Sequence, residues 1–92
     1  MKVAVSGAMG RLGSVIANGI ANARDMELSG AYAPGHTGKN VAGIGVEETI
    51  ENINAQILVE CAHPDVVMEN LKKWHSRGMR VVVGTSGFTD ER

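Results

Sequence analysis

Apolar residues change their spacing twice within the first 33 residues of the chain. Lys2-Val3-Ala4-Val5-Ser6 is a short apolar run with β-branched side chains that meets Gly7, which predicts a buried strand over residues 1–6. Beyond the glycines, Leu12, Val15, Ile16, Gly19, Ile20 and Ala23 fall at i, i+3, i+4, i+7, i+8 and i+11, one continuous stripe on a helix. Gly19 weakens that helix slightly and is expected to let it lie close to a sheet. Asp25 breaks the period, and Met26, Leu28 and Gly30 then alternate with Glu27 and Ser29 as a second strand reaching Tyr32.

The segment from Ala33 to Gly45 carries Pro34 and four glycines, a composition that predicts turns rather than a regular element, mobile without ligand. Val46, Ile50 and Ile53 share a helical face around Glu47, Glu48 and Glu51, so a short helix is expected before a buried strand from Gln56 to Cys61. Pro64 opens another helix, with Asp65 and Glu69 toward the positive end of its dipole and Lys72, Lys73, His75 and Arg77 toward the negative end. Gly78 is its expected stop. Arg80 to Val83 is an apolar strand of the kind covered on both faces of a parallel sheet. The order β-α-β-α-β-α-β predicts an α/β fold, a Rossmann-like open parallel sheet of about four strands with flanking helices.

Composition bounds what such a fold can do. Ninety-two residues, 43% of them hydrophobic, bury one modest core with no separate substrate platform, so residues 1–92 read as a single domain and an incomplete protein. A formal net charge of −1 supplies no field for nucleic acid or for an anionic membrane, and neither is an expected partner. The single cysteine, Cys61, excludes an internal disulfide and a multi-thiolate metal site, in keeping with a reducing cytoplasm, the expected location. The apolar run Val3 to Val5 is too short for a signal peptide or a membrane span.

Gly7-Ala8-Met9-Gly10-Arg11-Leu12-Gly13 is G-x-x-G-x-x-G, a relative of the dinucleotide fingerprint with its middle glycine moved one place. Gly7 permits a tight turn off the strand, Gly10 removes a side chain where phosphate must approach, and the backbone N–H groups of the helix start face the anion. The bland alternative is a glycine turn that serves only helix–strand packing. Arg11 either adds a charge to a phosphate or is a solvated arginine on the first helical turn.

Nicotinamide dinucleotide sites commonly place a carboxylate at the end of the second strand to accept from the ribose hydroxyls, where this chain has Tyr32, Ala33 and Pro34. Its lack removes an attraction for the 2′-hydroxyl and a repulsion against a 2′-phosphate. His36, Lys39 and Arg11 are cations available to that phosphate or merely solvated, and the balance favours NADPH over NADH.

Glu60-Cys61-Ala62-His63-Pro64-Asp65 and Gly84-Thr85-Ser86-Gly87-Phe88 follow the third and fourth main strands, on the side where open parallel sheets bind ligands. Cys61 is read as a packed thiol rather than a nucleophile, because His63 is the one nearby base and lies across a turn. His63 either touches cofactor or substrate or caps the helix begun at Pro64. Thr85 and Ser86 offer donors to a carboxamide or carboxylate, or form a structural turn. No metal site is expected.

In this order the segments Val3 to Gly13, His63 to Leu71 and, most distinctively, Val82 to Thr89 resemble the N-terminal domain of the dihydrodipicolinate reductases of lysine and diaminopimelate synthesis. The resemblance covers most of the chain. It implies that Gly7, Ala8, Met9, Gly10, Arg11, Leu12 and Gly13, with Gly84, Thr85 and Ser86, contact the nicotinamide cofactor, the second group near nicotinamide and substrate. It also implies hydride transfer to a cyclic unsaturated dicarboxylate. Three departures stand out: Cys61-Ala62 where the family usually has Phe-Thr, Thr85-Ser86 where it often has Thr-Thr, and no acid at the end of the second strand. Family members continue into a substrate domain with paired histidines, a lysine and a Gly-Thr clamp, through which they also assemble. No catalytic residue is therefore expected within residues 1–92, and no turnover or homo-oligomer from them alone. A stand-alone nucleotide-binding or regulatory module, or a related reductase of another substrate, is the rival reading.

Overall fold

A short apolar strand can be buried on both faces only if chain on either side of it supplies both a strand neighbour and a covering helix. The computed structural model, which describes residues 1–36, 38–61 and 64–83, meets that need around β1 (Lys2–Ser6). A glycine turn leads to α1 (Arg11–Ala21), then β2 (Glu27–Tyr32), the two-residue strands β3 (Asn40–Val41) and β4 (Ile44–Gly45), and a 3-10 turn at Ile50–Asn52. β5 (Ile57–Glu60), α2 (Pro64–Ser76) and β6 (Arg80–Val83) complete the described elements. The main sheet is parallel in the order β2-β1-β5-β6, the Rossmann-like α/β arrangement, with β3 and β4 forming a separate antiparallel hairpin.

The two faces of the sheet carry separate cores. On the α1 side Val3, Val5, Leu28 and Ala31 pack with Ala8, Ala17, Ile20 and the hairpin's Val41. On the α2 side Ala4, Tyr32 and Leu58 pack with Ile53, Trp74 and Met79. α2 ends as Gly78 was expected to end it. Gly78 takes φ +82°, its N–H donates to the carbonyl of His75 at 2.9 Å, and the N–H of Met79 donates to that of Trp74 at 3.3 Å. These are the two bonds of a Schellman cap, and Met79 closes it apolarly against Trp74.

Several expectations from the sequence need correction. The apolar stripe of α1 is rotated: Gly13, Ala17 and Ile20 are buried, whereas Val15 is 66% exposed and Gly19 faces open space. The close approach is made at Gly13, against the backbone of Gly7 and Ala8 in the turn, and not at Gly19. In β2 the pairing register shifts between Val3 and Ala4, so that Ser29 bulges and Gly30 turns to the α2 face, with Ile53 and Ala4 the nearest side chains to a Cβ built there. Met26, Leu28 and Gly30 therefore do not share a face. The 33–45 segment holds the β3–β4 hairpin, whose central Ala42 and Gly43 take φ +52° and +86°. The expected helix near residue 50 is only the 3-10 turn, because Val46 packs on the α1 side and Ile53 on the α2 side. β6 is the sheet's edge among the described residues, and Val82 and Val83 are exposed rather than covered on both faces.

Candidate functional site

Register brings three strand ends level. Ser6 pairs with Tyr32 on one side and with Glu60 on the other, so the chain leaves β1, β2 and β5 at one rim of the sheet. β2 and β5 flank β1 with α1 and α2 on opposite faces, so this rim is the switch point at which open α/β sheets form a crevice.

The glycine turn crosses that rim. Gly7 takes φ +77°, and the N–H groups of Gly7 and Ala8 both donate to the carbonyl of Tyr32, at 2.8 and 3.3 Å. Gly10 donates back to the Gly7 carbonyl at 3.0 Å, and the first intrahelical bond of α1 runs from Ser14 N–H to Gly10 carbonyl at 2.9 Å. A Cβ on Gly13 would stand 2.1 Å from the Gly7 carbonyl oxygen, so α1 is seated directly on the backbone of the turn. Gly10 is different: its φ of −76° suits any residue, and a Cβ there meets only the Gly7 oxygen at 3.4 Å. Packing explains Gly13; it does not explain Gly10. Among the described residues no side chain caps the start of α1, and no acid lies in its first turn, so the N–H groups of Arg11, Leu12 and Gly13 retain an unneutralised positive end. Ala8 is buried, Met9 and Leu12 are half-buried and Arg11 is exposed, which leaves backbone and the Arg11 guanidinium to meet an anion.

Beside the turn, on the α2 side, lies a cleft of about 260 Å³ lined by Ser6, Gly7, Tyr32, Pro34, Glu69, Asn70 and Lys73. It is smaller than the roughly 300–1,000 Å³ of drug-sized sites. The Ser6 hydroxyl is fully buried at its edge and has no hydrogen-bond partner among the described residues. Its far wall is held by Glu60, a fully buried carboxylate that accepts from Asn70 Nδ2 at 3.2 Å and Trp74 Nε1 at 2.8 Å. Trp74 in turn stands edge-on to Tyr32, ring centroids 5.3 Å apart at 89°. Cys61, one residue on, packs toward the α1 side. Burial first, and then the charge of Glu60, push its thiol up from 9.0 to about 11. The shift keeps the thiolate fraction small near neutrality, which is in keeping with a packed thiol.

Of the residues singled out in the sequence, the structure gathers Gly7, Ala8, Met9, Gly10, Arg11, Leu12 and Gly13 at one rim. Gly84, Thr85, Ser86 and His63 lie outside the described residues. His36 and Lys39 do not line the cleft; nor does Arg11. Ser6, Glu69, Asn70 and Lys73 line the cleft without having been singled out as site-forming residues, and Glu60, named only within the segment after the third main strand, carried one sequence signal, an acid inside an otherwise apolar strand.

Comparison with known proteins identifies the family. The whole chain, residues 1–92, matches the family model described as dihydrodipicolinate reductase, N-terminus. Proteins named 4-hydroxy-tetrahydrodipicolinate reductase are similar along its length. That of Streptomyces coelicolor is 41% identical over 92 residues, 100% of this chain and 33% of the relative. That of Mycolicibacterium gilvum is 37% identical over 92 residues, 100% of this chain and 34% of the relative. That of Archaeoglobus fulgidus is 35% identical over 99 residues, 99% of this chain and 38% of the relative. The chain thus spans about a third of the length of these relatives.

Proposed function

The chain belongs to the dihydrodipicolinate reductase N-terminal family, and on that premise we propose that it is the domain of a 4-hydroxy-tetrahydrodipicolinate reductase that holds and orients a nicotinamide dinucleotide. The carrying observation is the uncapped, acid-free start of α1 seated on the Gly7–Gly13 turn, with the cleft opening beside it. The residues present fit the cofactor. The first-turn N–H groups receive the pyrophosphate, Gly10 leaves it room, and the cleft beside Tyr32 and Pro34 receives the adenosine half, where the unpartnered Ser6 hydroxyl finds a ligand atom.

In the reaction proposed for the whole protein, in lysine and diaminopimelate synthesis, a bound nicotinamide supplies hydride to a cyclic unsaturated dicarboxylate. The share of the present residues is binding and orientation: α1 fixes the phosphates, and the Glu60-braced wall of α2 fixes the adenosine side. Gly84, Thr85 and Ser86 are assigned to the nicotinamide and substrate in this reading, and the substrate's own site and assembly contacts belong to the rest of the relatives' length. NADPH is favoured over NADH, because Ala33 and Pro34 stand where a carboxylate would repel a 2′-phosphate. The expected site of action is the cytoplasm; no helix among the described residues is long and apolar enough to cross a membrane.

Gly10→Val tests the reading, because Gly10 is exposed and a Cβ there stands at ordinary contact distance from the fold, whereas a bound pyrophosphate would leave the side chain no room. Isothermal titration with NADPH should show binding to the unmodified protein and a loss of at least about tenfold in the variant, with the thermal unfolding midpoint nearly unchanged. Equal affinity in the two proteins would sink the proposal.

A further inference from the structure

The end of β2 leaves one question open: with Ala33 and Pro34 in place of an acid, what reads the 2′ position of the ribose? The cleft at that end is lined by Tyr32 and Pro34 on one side and by Glu69 and Lys73 of α2 on the other. The carboxylate and ammonium of this pair stand 3.6 Å apart, one helical turn from each other, with the Glu69 side chain 75% exposed and that of Lys73 49% exposed. Exposed pairs at this spacing are weak, so a ligand entering the cleft can draw either partner to itself.

The two groups complement the two forms of the ribose. A carboxylate accepts from the hydroxyls of an unphosphorylated ribose, and an ammonium meets a phosphate dianion as a point charge. The cleft is graded in depth to match: the buried Ser6 hydroxyl and Asn70, clamped by Glu60, form its inner wall, while the exposed charges stand at its mouth. Resting on the dinucleotide reading above, we propose that the Glu69–Lys73 pair of α2 reads the ribose 2′ position. Lys73 pairs with the 2′-phosphate of NADPH and Glu69 accepts from the 2′-hydroxyl of NADH, so that NADPH is preferred and NADH still admitted. Discrimination thus moves from the end of the second strand to the helix facing it, and away from His36 and Lys39 in the loop.

Titrations of both cofactors into the unmodified protein, Lys73→Gln and Glu69→Gln test this at fixed pH and two salt concentrations. Both side chains are exposed, so folding is not at stake. Lys73→Gln should weaken NADPH by about fivefold and leave NADH within about twofold, the difference shrinking in high salt. Glu69→Gln should weaken NADH by about threefold and leave NADPH equal or tighter. An unchanged ratio of the two affinities in both variants, whether binding stays the same or falls equally for both cofactors, overturns the assignment. Failure of the underlying reading looks different, since neither cofactor would then bind the unmodified protein.

Discussion

The two faces of one sheet are held in opposite ways. On the α1 face contact is made by what is missing: Gly13 lets the helix rest on the Gly7 carbonyl, and Ala8 and Ala17 keep the layers thin. On the α2 face contact is made by bulk and polarity, with Trp74 fully buried, its ring against Tyr32 and its N–H on the carboxylate of Glu60. The difference follows from the task proposed for each side. In the proposed reading a pyrophosphate reaches backbone N–H groups across the bare positions Gly7, Gly10 and Gly13, and the adenosine meets a shaped wall of large side chains pinned by hydrogen bonds.

The contrast breaks most sharply at Trp74. Trp74→Ala should cost about 3–5 kcal/mol, read from the midpoint of urea unfolding, through the cavity left among Tyr32, Ile53 and Leu58. Trp74→Phe should recover the packing share and leave about 1–3 kcal/mol, because Glu60 loses a donor inside the core. If the two variants were equally stable, the hydrogen bond rather than the bulk would hold this face.

Next in size is Gly13→Ala. One methyl group meets backbone at 2.1 Å, so α1 has to shift off the turn, with an expected loss of about 1–3 kcal/mol and of NADPH affinity together. Gly10→Val, by contrast, should lose affinity alone. Were Gly13→Ala as stable as the unmodified protein, the account of the α1 face as direct backbone contact would be wrong.

The smallest effect is chemical. Cys61 sits on the α1 side of β5 next to Glu60 on the other, and its thiol titrates near 11 instead of 9.0. A raised thiol pKa adds stability that is intact below about 9 and fades as pH climbs from 9 toward 11, where the unfolded chain ionises first. Alkylation by iodoacetamide at pH 8 should run at least about tenfold slower in the native protein than in urea. Equal rates would place the thiol in water.

What the sequence made legible was whatever depends on neighbours in the chain. The Gly7–Gly13 turn, the start of α2 at Pro64 and its stop at Gly78 are local signals, and the apolar runs of β1, β5 and β6 are local too. The misses share one cause, partners distant in sequence. Val15 extends the best apolar stripe of α1, yet the helix is rotated by the contact of Gly13 with Gly7, which no periodicity encodes. The β2 bulge at Ser29 is secured by its hydroxyl donating to the carbonyl of Asn54, 25 residues on. Glu60 reads as a misfit until Trp74, 14 residues later, supplies its donor. The β3–β4 hairpin escaped because Ala42 takes a left-handed conformation that is usually left to Gly, Asn or Asp. The α1 half of the candidate site is thus mostly sequence-visible, and the α2 half is mostly not.

The position of Trp74 has one more consequence. It is the chain's single tryptophan, sealed from water, in ring contact with Tyr32 and bonded to the carboxylate that braces Asn70. Tyr32 and Asn70 are both walls of the cleft. The protein therefore carries an intrinsic lamp one residue behind its candidate ligand site, and its emission is expected to change when that cleft is filled, without any label being attached.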